Sequence, residues 1–391
     1  MDEEQNKKSM SQKNNKPIKV LMAINSLVVG GAERVFVNQV NYFDKNKFDV
    51  WVMNTVAEKG KTFRDELNLP AEKIIQFHFN KVFNIKELVK VHKFFKEQKF
   101  DVVITSLYLT NFVGRLIAKI NKVPVICSYE QNIYPNKTKL QILADRWLAR
   151  FTDVIFAVSQ MVLDFTSKQE GISKSKFKIN YNSTPLQTNE LSESEKSNYK
   201  KELRIPQNAT VVTNAGSLVE QKGQTYLIQA AKGVINKNQN VVFLISGQGK
   251  LKNQLQKEIN DLGLSAKVIL AGVQPINKVL SITDIFVMPS LWEGLSLVML
   301  EAMSYGKPLV VTDISGVQDV ITDGQEGLIV PIKNSQILAE KINLLISDSA
   351  LKQKLSQNSS VRVQEFSIDK NVKIIENTIL DIFQTKNSKN I

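Results

Sequence analysis

The chain of 391 residues has one cysteine, Cys127, and two histidines, His78 and His92. A single thiol cannot close an internal disulfide, so the fold must rest on its core and suits a reducing compartment. The same scarcity excludes zinc-finger ligand sets. Seventeen glycines and ten prolines, with no repeating period, exclude a collagen-like chain. No apolar run reaches the roughly 18 to 20 residues that span a bilayer. The opening MDEEQNKKSMSQKNNK has no apolar segment behind its charges, so it does not read as a secretory signal. No Asp-x-Asp pair stands near a strand end, so neither a tightly held metal nor a cofactor is expected. The expectation is a cytoplasmic protein.

What is present fits a soluble globular chain: 43% hydrophobic and 23% charged residues. The length suits two α/β domains of roughly 150 to 200 residues each. Ile18 to Ile24 (IKVLMAI) is a nearly continuous apolar run, as in a buried parallel strand, and a Gly30-Gly31 turn and a helical pattern over Ala32 to Phe43 follow it. Strand-like runs recur at Phe48 to Asn54, Asp101 to Ser106, Pro124 to Ser128 and Asp153 to Ser159, with a helix over Thr110 to Ile120. After a polar stretch a second series begins, with strands at 210–215, 240–246, 267–271, 284–288 and 308–312. Strands alternating with helices imply parallel sheets covered on both faces. The expected organisation is a disordered tail over 1–16, a Rossmann-like domain over 17–184, a linker over 185–204, a second Rossmann-like domain over 205–366, a helix over 367–383 and a frayed tail over 384–391.

In open α/β sheets, ligands bind beyond the carboxyl ends of the strands, so the turns there are the places to search. Gly30-Gly31-Ala32-Glu33-Arg34 offers either a phosphate-binding turn or merely a tight one, and it lacks the G-x-G-x-x-G spacing of a dinucleotide site. Gly216-Ser217 through Lys222-Gly223 puts a lysine after a glycine turn, and Gly247 opens a third turn. The fourth segment, after Met288, carries Glu293 and Glu301 with Gly294, Leu295 and Ser296 between them. Glu301 lies among apolar residues, where an unpaired buried carboxylate is costly. Two ligand hydroxyls would satisfy it, as would a buried ion pair. Glu293 reads as a ligand contact or a capping carboxylate, and the helix start at Leu295-Ser296 presents N–H donors to phosphates.

The segment SLWEGLSLVMLEAMSYGKPLVVTD, with Glu293 and Glu301 eight positions apart, together with GSLVEQKG and VGGAERV, resembles the retaining glycosyltransferases of family 4 over about residues 17 to 383. The resemblance implies the GT-B fold: two Rossmann-like domains facing across a cleft, with the C-terminal helix crossing back to the first. It also implies a nucleotide sugar, probed by Gly30 and Gly31 from the first domain and held by Gly216, Ser217, Lys222, Gly247, Glu293, Gly294, Leu295, Ser296 and Glu301. Lys222 matches the diphosphate-binding lysine, Glu293 the glutamate near the donor sugar, and Glu301 the one on the ribose hydroxyls. Two departures stand out. Ser217 occupies the place where relatives commonly carry an arginine, leaving Arg34 or another cation to assist Lys222. Cys127-Ser128-Tyr129-Glu130-Gln131-Asn132 replaces a common histidine segment and resembles an S-E-R-N variant of enzymes that build bacterial surface polysaccharides. Glu130 then either orients an acceptor hydroxyl or pairs with a nearby cation.

The expected activity is transfer of a hexose or N-acetylhexosamine-type sugar, with retention, from a UDP-linked donor to a polyprenyl-diphosphate-linked glycan. Lys222, Glu293 and Glu130 are the expected catalytic residues. A nucleotide-sugar epimerase of the same architecture and a non-catalytic nucleotide-sugar-binding protein are the alternatives. The net charge is +13, and residues 1–200 hold 31 Lys+Arg against 21 Asp+Glu. No RNP, helix-turn-helix or zinc signature accompanies this excess, so it points to an anionic membrane surface and not to nucleic acid. Over Ile85 to Gln98, Lys86, Lys90 and Lys93 fall on one side, with Ile85, Leu88, Val89 and Phe95 on the other. Arg146 and Trp147 form a second candidate, and solvated lysine faces are the plainer reading of both. A peripheral place on the cytoplasmic face of the inner membrane is the corresponding expectation.

Overall fold

The computed structural model describes residues 16–58, 60–79, 84–186 and 189–388. Except for Lys16, the tail expected over 1–16 lies outside these residues. The first strand, β1 (Ile18–Ile24), pairs in parallel with β2 (Phe48–Asn54) and β4 (Val102–Ser106). Together with β3 (Ile74–Gln76), β5 (Val125–Glu130), β6 (Val154–Ala157) and β7 (Phe177–Ile179) they make a seven-stranded sheet of order β3-β2-β1-β4-β5-β6-β7. β8 (Thr210–Ala215), β9 (Val241–Ser246), β10 (Val268–Gly272), β11 (Ile285–Met288), β12 (Leu309–Thr312) and β13 (Gly327–Val330) form a second sheet of order β10-β9-β8-β11-β12-β13. Both sheets put their earliest strand at the interior, with the chain winding outward on either side. This is the doubly wound, Rossmann-like topology.

Helices on both faces explain the continuous apolar strands. All five residues of β4 and all six of β5 are buried. In the first sheet, Leu21, Ala23 and Val103 pack with Val91 and Phe95 of helix Ile85–Gln98 and with Val113 and Ile117 of helix Tyr108–Ile120. In the second, Phe243 and Val287 pack with Leu227 and Ala231 of helix Gln224–Lys237 and with Leu338 and Ile342 of helix Ser335–Ser347.

The chain divides into two compact units, one of Met1–Ala157, Phe165–Lys178 and Val372–Ile391, the other of Val158–Asp164 and Ile179–Asn371. The division at Lys178–Ile179 precedes the polar stretch expected as a linker. That stretch contains helix Glu193–Glu202, started by a reciprocal cap between Ser192 and Glu195, and Tyr199 buries itself with Ile205 and Val211. One buried side chain on an otherwise polar helix leaves almost no periodic signal. Gln187 and Thr188, within that stretch, lie outside the described residues. The last helix, Ile368–Ser388, runs through most of the expected 384–391 tail. Its later part belongs to the first unit, where Glu376 accepts the Asp44 N–H at 2.7 Å and Lys386 pairs with Asp153 at 2.6 Å.

Candidate active site

Three glycines stand in the turns at the carboxyl ends of β8 and β9 in the second unit. Gly216 follows β8 at φ 154°, and Gly247 follows β9 at φ 152°. The Gly216 N–H donates to the Ser246 carbonyl at 2.9 Å, and a Cβ on Gly247 would lie 1.9 Å from the Gly216 carbonyl oxygen. Only glycine allows this close stacking of two loops. Gly223, at φ 63°, lies against Pro289, where a Cβ would meet the carbonyl oxygen at 2.1 Å. The turn after β8 is thus pressed onto the turn after β11.

Hydrogen bonds lace these two turns together. Leu291 N–H donates to the Gln221 carbonyl at 2.7 Å, and Gln221 Nε2 donates to the Trp292 carbonyl at 2.9 Å. The same contact brings Lys222 Nζ onto Glu293 Oε1 as an ion pair, with the Ser290 hydroxyl donating to that oxygen at 3.1 Å. Glu293 is 9% exposed and the Lys222 side chain 20%, so the pair keeps some contact with solvent. Thr312 Oγ1 donates to the Ser290 carbonyl at 2.5 Å, and Asn182 Nδ2 donates to the Leu295 carbonyl at 2.8 Å, fixing both ends of the segment. Sequence reading missed Ser290, Thr312 and Asn182, whose partners are backbone or non-adjacent residues.

Gly294, Leu295 and Ser296 are buried and lead into helix Leu297–Ser304. Ser296 is the N-cap but makes no side-chain capping bond, which leaves first-turn N–H groups to another acceptor. Glu301 differs from expectation: it is half-buried. Met299, Leu300, Ala302 and Met303 are the buried residues, whereas Leu297, Val298 and Glu301 share the more open stripe. At a helical spacing of three to four, position 301 follows 297 and 298 out of the core. Burial cost therefore does not by itself demand a ligand there. Ser217 is exposed at the mouth of its turn, and no second cation from its own position stands beside Lys222.

In the first unit, Gly30 is the extended N-cap and Gly31 the first residue of helix Gly31–Tyr42, with open space where a Gly31 Cβ would go. Arg34 is engaged in an ion pair with Glu66 and lies 3.9 Å from the Phe63 ring centroid. Glu130 is the last residue of β5, 6% exposed, and accepts from Asn111 Nδ2 at 3.0 Å. Burial pushes its carboxyl up to about 7, with Lys137 and Arg115 pulling it down and Glu170 and Asp145 pushing it further up. It thus sits in a charged cluster as well as at a strand end. Arg115, within the apolar FVGRLIA, was the available signal for that cluster, since a charge on a core-facing stripe requires partners.

The expected apolar side of helix Ile85–Gln98 is also corrected. Glu87, Val91 and Phe95, four apart, form the buried stripe, so Ile85 and Val89 stand out in solvent at 74% and 61% exposure beside Lys86, Lys90 and Lys93. Glu87 accepts from Lys90 at 2.6 Å and from the His78 N–H at 3.0 Å, and these contacts hold its carboxyl below the ordinary range. On helix Lys139–Ala149, Leu140, Leu143 and Trp147 are exposed on one face, whereas Arg146 Nε is tied to the Glu170 carbonyl at 2.6 Å. No helix of the described residues is long and apolar enough to cross a membrane.

Two family models match the chain: Glycosyltransferase Family 4 over residues 29–187 and Glycosyl transferases group 1 over residues 195–362. An uncharacterised glycosyltransferase of Methanocaldococcus jannaschii is 30% identical over 75% of this chain and 84% of the relative. An Escherichia coli protein named UDP-Gal:alpha-D-GlcNAc-diphosphoundecaprenol alpha-1,3-galactosyltransferase is 25% identical over 92% of this chain and 96% of that one. Among solved structures, Anabaena HepE in complex with UDP-glucose superposes with a TM-score of 0.82 at 22% identity, covering 93% of this chain and all of that one. WaaG, a glycosyltransferase involved in lipopolysaccharide biosynthesis, does so with a TM-score of 0.70 at 17% identity, covering 93% and 99%. The chain belongs to the family 4 glycosyltransferases and has the two Rossmann-like units of their GT-B architecture.

Proposed function

We propose that this glycosyltransferase moves a hexose or N-acetylhexosamine-type sugar, with retention at the anomeric carbon, from a UDP-sugar to a lipid-linked glycan during polysaccharide or glycoconjugate assembly. The observation that carries this reading is the Lys222–Glu293 pair at the meeting of the glycine turns, beside an uncapped helix start. Glycine turns let a phosphate approach the backbone closely, and the lysine and N–H donors match the charge of a diphosphate. The names of relatives support the substrates: the Escherichia coli protein is named for UDP-Gal and a diphosphoundecaprenol acceptor, and a Campylobacter jejuni relative, 26% identical over 90% of this chain, for a PP-undecaprenol glycan.

The difficult event is departure of the nucleotide diphosphate. Lys222 and the backbone donors stabilise the charge that develops on the leaving oxygen. The departing phosphate accepts the proton of the acceptor hydroxyl on the same face of the sugar, so two flanking carboxylates of the glycosidase kind are not needed. Glu293 positions Lys222 and meets the donor sugar, Glu301 receives ribose hydroxyls, and Glu130 accepts a hydrogen bond from the acceptor hydroxyl in the first unit. No metal is required in this scheme, so turnover persists in excess EDTA.

A lipid-linked acceptor brings the enzyme to a membrane surface. Ile85 and Val89 among lysines, and Leu140, Leu143 and Trp147 on the second helix, give an exposed mixture of apolar and basic side chains suited to anionic headgroups. The test is incubation with a panel of UDP-sugars and a polyprenyl-diphosphate glycan, with the new anomeric linkage read by NMR. A retained anomeric configuration, lost in Lys222→Ala and Glu301→Ala, is expected. An inverted linkage, or full turnover in both variants, would overturn the proposal.

A further inference from the structure

Five ionisable side chains are buried together in the first unit: Glu130, Arg115, Lys137, Asp145 and Glu170. Two cations face three carboxylates. Asp145 takes both cations, Arg115 at 2.7 Å and Lys137 at 2.9 Å, while Glu170 takes Lys137 at 2.5 Å. Glu130 receives its hydrogen bond from the neutral Asn111 amide, and Arg115 Nε in turn holds the Asn111 carbonyl at 2.7 Å. With every carboxylate ionised, the cluster would bury an uncompensated negative charge. Retaining one proton is the cheaper state, and among the described residues Glu130 is the carboxylate of the three with no direct ion pair.

The surroundings are polar but unsatisfied. Among the described residues, Asn111 Oδ1, Ser128 Oγ and both amide atoms of Gln131 are buried without a hydrogen-bond partner. A buried polar atom left so is costly until something meets it. Nearby, Tyr108, Ile133, Tyr134, Asn136, Lys137 and Gln141 line a cavity of about 350 Å³. Lys137 belongs to both features, since it lines the cavity while its ammonium is held by Asp145 and Glu170. Because these carboxylates already neutralise it, the cavity suits an uncharged, hydroxyl-bearing ring against Tyr108 and Tyr134 more than a phosphate.

We propose that Lys137 and Glu170 are positioning residues that act through Glu130, setting when it gives up its proton and can accept a hydrogen bond from a sugar hydroxyl of the acceptor seated in this cavity. The inference rests on the reading of Glu130 as an acceptor-side group. It makes acceptor use depend on pH near neutrality, rising as Glu130 ionises. Lys137 and Arg115 favour that ionisation, Glu170 and Asp145 oppose it, and the Tyr134 phenol, itself pushed up to about 12 by burial and then by the Glu130 charge, stays neutral throughout.

The test uses the full-length enzyme and compares kcat/KM for the acceptor against pH in the wild type, Glu170→Gln, Lys137→Met and Lys137→Arg. Glutamate carboxyl titration is followed in parallel by ¹³C NMR, with Glu130→Gln assigning the signal. The expected wild-type limb lies at about 7. Glu170→Gln moves it to lower pH and Lys137→Met to higher pH, each by roughly one unit, while Lys137→Arg restores it. Shifts in the same direction, or none, overturn the proposal. Should Lys137→Met fail to fold, the near-isosteric Glu170→Gln decides alone by the sign of its shift. If the carboxyl signal shifts in opposite directions while the rate profile stays flat, the acceptor role of Glu130 is refuted and this inference with it. Sugar transfer persisting in that case leaves the glycosyltransferase reading intact.

Discussion

Lys222 and Glu293 form an ion pair, so on the proposed roles their substitutions have opposite effects on nucleotide binding. Lys222→Met removes the cation and leaves the Glu293 carboxylate, 9% exposed, with the Ser290 hydroxyl at 3.1 Å. An underpartnered buried charge costs about 1–3 kcal/mol, which for a unit of this size lowers Tm by roughly 2–10 °C. If Lys222 holds the diphosphate as proposed, the same variant loses a charge-assisted hydrogen bond worth about 1.5–3 kcal/mol, and UDP affinity falls roughly 10- to 100-fold. Glu293→Gln keeps the shape, releases the ammonium and removes a negative charge next to an anionic ligand. At a partly solvated site that repulsion is on the order of 1 kcal/mol, so UDP binds equally well or about fivefold more tightly. On the proposed roles, sugar transfer nevertheless falls in both variants: Lys222→Met lacks the cation that stabilises the leaving group, and Glu293→Gln lacks the carboxylate that fixes it. Isothermal titration with UDP alone, beside turnover with the intact donor, separates these effects. A Glu293→Gln enzyme that loses UDP affinity as far as Lys222→Met does would refute the reasoning.

Three further outcomes follow from the structure. Gly247→Ala places a Cβ 1.9 Å from the Gly216 carbonyl oxygen at φ 152°, so one turn must move; a loss of about 3 kcal/mol or more and weakened UDP binding are expected by thermal shift with and without nucleotide. If the exposed face of helix Ile85–Gln98 rests on lipid as proposed, substituting Ile85→Ser and Val89→Ser removes about 2 kcal/mol of apolar contact and lowers binding to anionic liposomes roughly thirtyfold in a sedimentation assay, whereas equal binding means this face does not touch lipid. The Glu130 carboxyl, raised by burial from its ordinary 4.5 to about 7 in the folded protein, stabilises the fold fully below about 4.5, and this contribution is lost as pH climbs through about 7. Glu130→Gln therefore gains Tm relative to the wild type between those values, and a difference independent of pH would show that Glu130 does not titrate there.

Strand and helix positions were legible wherever burial was complete. IKVLMAI, FDVWVMN and TVVTNA read as strands because parallel strands covered on both faces carry unbroken apolar runs, and the structure has them at the same residues. β3, β7 and β13 escaped notice; β3 and β7 are three residues long and carry no run of buried residues. Helix Glu193–Glu202 escaped because it buries one tyrosine. In the second unit, Lys222 and Glu293 were legible from glycine turns at strand ends, but their pairing was not, since it depends on two loops 71 residues apart being pressed together at Gly223 and Pro289.

Cysteine and histidine scarcity, charge imbalance, the alternation of strands and the Glu293–Glu301 spacing are one-dimensional facts, and they were enough to determine two α/β units and the family. Tertiary structure decided the charge state and the faces. It put Glu301 on a half-open stripe and turned Ile85 and Val89 into solvent, because a helix rotates its burial by about 100° per residue and the phase is set by what it packs against. It also gathered Arg115, Lys137, Asp145 and Glu170 around Glu130 from four separate segments. Electrostatic energy depends on distance through space and on exclusion of water, neither of which is ordered along the chain.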